Sequence, residues 1–227
     1  MADLDGRRIV VVGAAGALGG GVARACLAAG ATVSGLDRHV PAAENQMTGV
    51  SYEAVDVLDD AALGSWFDNT EVPWAVLNVV GGFAGASSLR DLDVDELHEQ
   101  LRLNLTSAAL LTKHALRRMT TVGEGRIVHT SSRAAQSLEG VGFAYSVSKL
   151  AVLHLVSMAA RETRGSAITV NAVVPSIIDT PANRAAMPGA AHDNWPKIGE
   201  VAEVFVFLAS PRAALVSGAA VPVFGLV

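Results

Sequence analysis

RRIVVVGAAGALGGGVARACLAAG, running from Arg7 to Gly30, decides the fold. It opens with a short continuous apolar run, RIVVV, which reads as a strand buried on both faces. A turn containing Gly13, Gly16 and Gly19 follows. Leu18, Val22, Cys26 and Ala29 then recur at helical spacing until Gly30 stops the helix. Glycines at a strand-to-helix turn let the backbone fold tightly and approach a pyrophosphate closely, with the free N–H groups of the helix start facing it. In a chain with 22 glycines the pattern alone says little; its place between a buried strand and a helix makes it a dinucleotide-binding turn.

Outward from this unit the same alternation repeats. ATVSGLD and SYEAV read as the second and third strands, and Asp59 to Asp68 as a short amphipathic helix. WAVLNVV is a fourth strand entering the loop GGFAGASS, and one long helix covers Asp93 to Met119. RIVHTSS is a fifth strand, Phe143 to Thr163 a helix, and AITVNAVVP a sixth strand. A Pro- and Ala-rich loop spans Ser176 to Gly199, before a helix over EVAEVFVFLAS and a last strand near Ala219 to Phe224. Val- and Ile-rich strands separated by helices predict a Rossmann-like, doubly wound parallel α/β sheet with helices on both faces, its ligands outside the carboxyl ends of the strands. The 227 residues fit one domain, with a dinucleotide-binding half over about 1–125 and a catalytic and substrate-loop half over about 126–227.

Composition narrows the functional classes. The net charge is −5 with Lys and Arg scattered, so no basic face for nucleic acid is expected. The longest uncharged run, Val72 to Leu89, is broken by Pro73, Asn78, Gly81, Gly82 and Gly85, which reads as strand and turn rather than a membrane span. The start MADLDGRR lacks a signal-peptide pattern. Cys26 is the only cysteine and lies on an apolar stripe, so it reads as core. With no intrachain disulfide possible, a reducing cytoplasm is expected. His and Cys spacing offers no metal set.

The chemistry-bearing set is Ser132, Tyr145 and Lys149. Tyr145 and Lys149 stand at i and i+4 of a predicted helix, which puts phenol and ammonium on one face. A nearby ammonium favours the phenolate and would lower the tyrosine pKa from about 10 towards working pH. Such a group can exchange a proton with a carbonyl or alcohol oxygen, and Ser132 would hydrogen-bond the same oxygen. Asp37 ends the second strand eighteen residues after Gly19, where a carboxylate accepts from ribose hydroxyls and repels a 2′-phosphate. NAD(H) is therefore the expected cofactor; Arg38, beside it, keeps NADP(H) open. His129 reads as a core residue. His114 and His154 carry no role, and Arg184, His192 and Trp195 sit on the substrate loop, divided between pocket and solvated face.

Taken together these residues resemble the short-chain dehydrogenase/reductase family over essentially the whole chain. Gly13, Ala17 and Gly19 meet its glycine pattern, and Val55–Val57 its adenine-side motif with Asp56. Asn78–Gly81 (NVVG) stands at its N-N-A-G, and Asn171–Ser176 (NAVVPS) at its N-x-x-x-P-G. The resemblance implies hydride transfer between nicotinamide and a small carbonyl or alcohol substrate. Tyr145 would be the acid/base, Ser132 the polariser of the substrate oxygen, Lys149 the partner of Tyr145 and of the nicotinamide ribose, and Asn104 (in LNLTS) the holder of a proton-relay water. It implies cofactor contacts from Gly13, Gly16, Ala17, Leu18, Gly19, Asp37, Arg38, Asp56, Val57, Asn78, Gly81, Tyr145, Lys149, Pro175, Ile178 and Thr180. Val at the second Asn of N-N-A-G leaves that motif's usual strand-stabilising hydrogen bond open. Gly81–Gly85 (GGFAG) and Asp179–Pro188 (DTPANRAAMP) are closer to dihydropteridine reductases, which typically have no serine at the position of Ser132. A pterin substrate is one alternative, and a non-catalytic dinucleotide sensor on the same fold is another. The segment Leu150–Ala160 is apolar nearly all round. A neighbouring helix carries Leu101, Leu103, Leu105, Ala108, Leu111 and Ala115. The two predict a homo-oligomer, tetramer before dimer.

Overall fold

Period-two alternation in the first strand sorts its side chains into two cores. In the computed structural model, which describes residues 3–83, 88–137 and 142–227, Ile9 and Val11 join one buried cluster and Val10 and Val12 the other. The strand β1 (Arg8–Val12) lies within a seven-stranded, all-parallel sheet. The others are β2 (Thr32–Asp37), β3 (Val50–Ala54), β4 (Ala75–Asn78), β5 (Glu124–Thr130), β6 (Ala167–Pro175) and β7 (Ala220–Val223), in the order β3-β2-β1-β4-β5-β6-β7. From β1 the chain steps one way to β3, then crosses back to β4 and runs the other way. The switch point therefore falls between β1 and β4, where Val12 registers with Asn78.

Helices cover both faces. On one side, α1 (Ala17–Ala28) and α7 (Ile198–Ala209) bury Val22, Cys26, Val201 and Phe205 against the sheet. Complete burial of a side chain like Phe205 contributes about 1.5–3 kcal/mol. Cys26 has its thiol pushed up to about 12 by burial and by the charge of Glu203, so it is an inert core residue. On the other side lie α2 (Asp60–Asn69), the succession α3 (Val94–Gln100) and α4 (Ser107–Val122), and α5 (Phe143–Glu162). Asp59 caps α2 by accepting from the N–H groups of Ala61 and Ala62.

Two elements depart from the sequence reading. The single helix expected over Asp93 to Met119 is divided: Leu101–Thr106 form a π-helical turn between α3 and α4. Apolar periodicity continues through such a turn, so the pattern does not reveal it. The loop from Ser176 to Gly199 contains a short helix α6 (Pro181–Ala186), capped by the Thr180 hydroxyl accepting from Asn183 N–H. The helix α5 is long and apolar enough to cross a membrane. Here it is a sheet-covering helix, with Ala144, Ser148, Lys149, Val152, Val156 and Ala159 buried. Leu111 and Ala115 of α4 are also fully buried in the core, so they do not form part of an outer apolar face.

Candidate active site

The glycine turn is built by exclusion of side chains. Gly13 adopts φ 88, a left-handed conformation that favours glycine. A Cβ on Gly19 would lie 2.0 Å from the Gly13 carbonyl oxygen, so the start of α1 can rest on the end of β1 only without one. Gly16 caps α1 with no side chain, leaving the first helical N–H groups facing outward. Ala17 opens α1, while the Leu18 side chain packs onto the core. Asp37, at the end of β2, is tied to this loop: its carboxylate accepts from Ala15 N–H at 3.1 Å and from Arg38 N–H at 2.8 Å. Roughly four lone-pair directions serve a carboxylate, so acceptor capacity remains for ribose hydroxyls. The Arg38 side chain is exposed. A cradle closed to side chains, a helix N-terminus and an anchored acceptor fit a dinucleotide.

Asp56 accepts from Leu58 N–H at 2.9 Å, holding the turn after β3, and the Val57 side chain is buried in the core behind it. A cavity of about 620 Å³ beside α1 is shared by Ala14, Ala15, Gly16 and Ala17 and extends to Pro41 and Tyr52 on one side and Ile198 on the other, while Asp37 and Asp56 do not line it. Asn78 ends β4. Its Oδ1 accepts from Val80 N–H at 3.0 Å and its amide nitrogen lies 3.1 Å from His129 Nδ1. The first bond sets the orientation of the amide, so Asn78 donates to Nδ1 and His129 carries its proton on Nε2, which lies 2.9 Å from the Thr112 hydroxyl. Burial and the charge of Lys149 lower the His129 pKa to about 4. This buried chain, with Thr130 donating to the Asn78 carbonyl, ties β4 to β5 and α4.

The second cavity, about 610 Å³, lies outside the carboxyl ends of β4, β5 and β6. It brings together Ser132, Tyr145, Lys149, Gly81, Pro175 and Ile178. Ser132 follows β5, its hydroxyl accepts from Ala134 N–H at 3.2 Å, and it stands near enough to the Tyr145 phenol to favour the phenolate. Phe83 meets the Tyr145 ring edge-on at 5.1 Å. Lys149 Nζ donates to the Thr130 carbonyl at 3.2 Å and lies 5.9 Å from the Tyr145 ring centre. Its main-chain carbonyl accepts from Ser131 Oγ at 2.8 Å, which pins α5 to the end of β5. Gly81 is the point of closest approach: a Cβ there would stand 2.7 Å from both Lys149 Nζ and Asn104 Oδ1.

The electrostatics correct one expectation. The Tyr145 pKa is raised, because burial disfavours the phenolate more than the Ser132 hydrogen bond favours it. Burial also lowers Lys149 to about 8, and its Nζ stands over the Tyr145 ring, 5.9 Å from the centroid. In this arrangement Tyr145 is a proton-bearing acid at neutral pH.

Asn104 sits in the π-helical turn, a local widening often found at functional sites. Its side chain accepts from Gly82 N–H (3.1 Å) and donates to Gly82 O, Gln100 Oε1 and Ser148 Oγ at 3.0–3.2 Å. Thr180 lines neither cavity; its hydroxyl caps α6. The substrate-loop trio is structural. Arg184 pairs with Asp179, which also binds Lys197 and is thereby held well below the usual carboxylate range. His192 contacts the Met187 carbonyl and packs against the buried Trp195 with the rings tilted by 56°. Of GGFAG, Ala84 and Gly85 lie outside the described residues. Cavity residues to which sequence reasoning gave no role include Phe83, Arg133, Ile177, Asn183 and Met187, although Phe83, Asn183 and Met187 lie in the segments GGFAG and DTPANRAAMP already singled out. The signal at Arg133 is a cation directly following the strand-end serine.

Comparison with known proteins agrees with this layout. A family model described as enoyl-(acyl carrier protein) reductase matches residues 13–225. The chain is 33% identical over 239 residues to the cis-4-hydroxycyclohexanecarboxylate dehydrogenase of Sinomonas cyclohexanicum, covering 96% of this chain and 95% of that protein. It is 30% identical to a 3-oxoacyl-[acyl-carrier-protein] reductase of Pseudomonas aeruginosa, over 98% of each. A solved 3-oxoacyl-[acyl-carrier-protein] reductase from Brucella melitensis with bound NAD superposes with a TM-score of 0.88 at 27% identity, covering 99% of this chain and 92% of that one. Fold and matches define the class, an NAD(P)-dependent oxidoreductase acting on alcohol and carbonyl groups. Within it, the chain belongs to the short-chain dehydrogenase/reductase family.

Proposed function

We propose that this chain is an NAD(H)-preferring dehydrogenase/reductase that interconverts a small alcohol and its carbonyl partner, with Tyr145 as general acid/base. The observation that carries it is the convergence of Ser132, Tyr145 and Lys149 on one cavity outside the carboxyl ends of β4, β5 and β6. The nicotinamide supplies or accepts the hydride when bound. The protein's part is proton handling and placement. In reduction Tyr145, protonated at neutral pH, gives its proton to the carbonyl oxygen, while Ser132 donates a hydrogen bond that orients that oxygen. In oxidation the proton returns to the phenol oxygen. Lys149 would hydrogen-bond the nicotinamide ribose with donors not used on the Thr130 carbonyl. Asn104 positions the Gly81–Gly82 backbone and the Ser148 hydroxyl behind it. Gly13, Gly16, Ala17, Leu18 and Gly19 would hold the pyrophosphate through backbone groups, and Asp37 the adenosine ribose. Asp56 and Val57 would flank the adenine, with Gly81, Pro175, Ile178 and Thr180 on the nicotinamide side.

The relatives' substrates, a hydroxycyclohexanecarboxylate and, for a Mycolicibacterium smegmatis protein 28% identical over 95% of this chain, D-threitol, support an alcohol over a pterin. The intact catalytic set favours an enzyme over a sensor. The test is NADH oxidation, followed by nicotinamide absorbance, with a panel of ketones, aldehydes and a quinonoid dihydropterin generated in situ. Turnover of ketones supports this reading. NADH binding without turnover of any compound would leave the sensor, and turnover of the pterin alone would replace the alcohol substrate. The single buried thiol accords with the cytoplasm. A tetramer, or a dimer, is supported by Leu150 and Met158, 53% and 54% exposed on α5. Light scattering on the eluting protein decides it, with the 23.4 kDa monomer mass as the contrary result.

A further inference from the structure

Among the described residues, the side chains lining the catalytic cavity include two cations, Arg133 and Lys149, and no Asp or Glu. Lys149 is committed: it is buried, donates to the Thr130 carbonyl and is pushed towards neutrality. Arg133, one residue beyond Ser132, is different. It is half-buried, and its guanidinium lies over the Phe224 ring, 5.4 Å from the centroid. Among the described residues no carboxylate pairs with it, whereas Arg8, Arg102, Arg184 and Arg212 each hold one. An aromatic face fixes a guanidinium plane without using its N–H donors. Those donors, partly withdrawn from water, are satisfied best by a carboxylate in the bidentate geometry that guanidinium matches. Phe83, Ile177 and Met187 supply apolar walls in the same cavity.

Resting on the oxidoreductase reading above, we propose that Arg133 is a substrate-specificity residue that binds a carboxylate, making the substrate a hydroxy acid or oxo acid with an apolar body. The anion would lie on Arg133 and the apolar body against Phe83, Ile177 and Met187, with the reacting oxygen between Ser132 and Tyr145. Hydride transfer and proton exchange are unchanged; Arg133 takes no part in bond making.

Two matched pairs test it: 4-oxocyclohexanecarboxylate against its primary amide, and 5-oxohexanoate against its amide, each with NADH. For at least one pair the wild type should prefer the acid in kcat/KM by roughly ten- to a hundred-fold, the range for a charge-assisted hydrogen bond. Arg133→Gln should bring that ratio towards unity mainly through KM, and Arg133→Lys should restore part of it. A wild type that prefers neither acid, or an Arg133→Gln protein that keeps the preference, would overturn the inference and leave the oxidoreductase reading standing. Calorimetric titration of the NADH-loaded protein with cyclohexanecarboxylate and its amide, neither of them reducible ketones, separates the two failures. Acid binding that weakens about as much in Arg133→Gln, without turnover of any ketone, would sustain the carboxylate site and break the catalytic reading. No preference for the acid in either the kinetics or the titration sinks the carboxylate site.

Discussion

Around the glycine turn, the groups placed for a ligand are peptide N–H groups and one carboxylate, Asp37, and their geometry depends on side chains being absent at Gly13 and Gly19. Around the catalytic cavity, they are side chains delivered from the ends of β4, β5 and β6 and from α5, each held by a different buried contact. The first region works through backbone shape. Its chemistry is set by φ angles and close approach, and is little affected by burial. The second works through burial, which raises Tyr145, lowers Lys149 to about 8 and lowers His129 to about 4. Substitutions should therefore act on binding in the first region and on proton transfer in the second.

The largest expected separation comes from Tyr145→Phe. The ring keeps its edge-on contact with Phe83 while the exchangeable proton is lost. Turnover should drop about 10²–10⁴-fold, the usual contribution of a positioned acid/base, with NADH affinity within a few-fold of wild type by fluorescence titration. Near-normal turnover would mean that proton transfer does not depend on this group, and the contrast between the regions would collapse.

His129 sharpens the comparison through stability. The unfolded imidazole binds a proton near 6.5 and the buried one near 4. Between those values the unfolded state holds more protons, so falling pH favours unfolding. The stability that a neutral His129 contributes should be fully present above about pH 6.5 and lost as pH falls towards 4, amounting to roughly 3 kcal/mol at most. Urea melts of the wild type and of His129→Gln across that window should differ in slope, the variant being the flatter. Parallel slopes would show that the imidazole is already solvated in the native state.

For the backbone region, Gly19→Ala puts a methyl where the Gly13 carbonyl stands, with backbone atoms of Gly13 and Ala14 also within 2.9 Å. Helix and strand must separate. Overpacking of this kind costs about 1–3 kcal/mol, and the displaced N–H groups should weaken NADH binding more than tenfold while the Tyr145–Ser132 pair stays in place. Unchanged NADH affinity would remove the glycine turn from the binding site.

The same division explains what could be read in advance. Strand alternation and the glycine turn are local, so β1 and α1 followed from residue order. Tyr145 and Lys149 were legible because helical spacing is local too. The direction of the Tyr145 shift was not, because it depends on how deeply Phe83, Ser132 and neighbouring segments bury the phenol. Asn104 was visible as a residue, but the π-helical turn that carries it was not, since LRLNLT keeps an apolar rhythm compatible with an ordinary helix. Leu111 and Ala115 count among the apolar residues of the helix expected beside Leu150–Ala160 and are buried in the core, because one apolar face of a helix does not say what it meets. Arg184, His192 and Trp195 shared a loop with the expected pocket, yet Asp179 and Met187 hold the first two within the loop itself. Arg133 became interpretable only when the described residues of the cavity lining showed no Asp or Glu beside it.

The smallest effect concerns cofactor choice at Asp37. Its carboxylate joins the two halves of the adenosine side by accepting from Ala15 N–H and Arg38 N–H, and a 2′-phosphate brought there would meet a like charge. Removing that charge should narrow the NADH-over-NADPH gap about tenfold, or about 1.4 kcal/mol. Asp37→Ala, however, also frees the Ala15 and Arg38 N–H groups, and NADH affinity should fall for that reason as well. Asp37→Asn separates the two causes, since the amide keeps an acceptor oxygen but carries no charge. If repulsion controls the choice, Asn and Ala should narrow the gap equally, mostly by improving NADPH. If anchoring of the loop controls it, Asn should hold NADH affinity close to wild type and Ala should not. A wild type that binds NADPH as tightly as NADH would assign the choice to the exposed Arg38 side chain instead, and Arg38→Ala should then lower NADPH affinity alone.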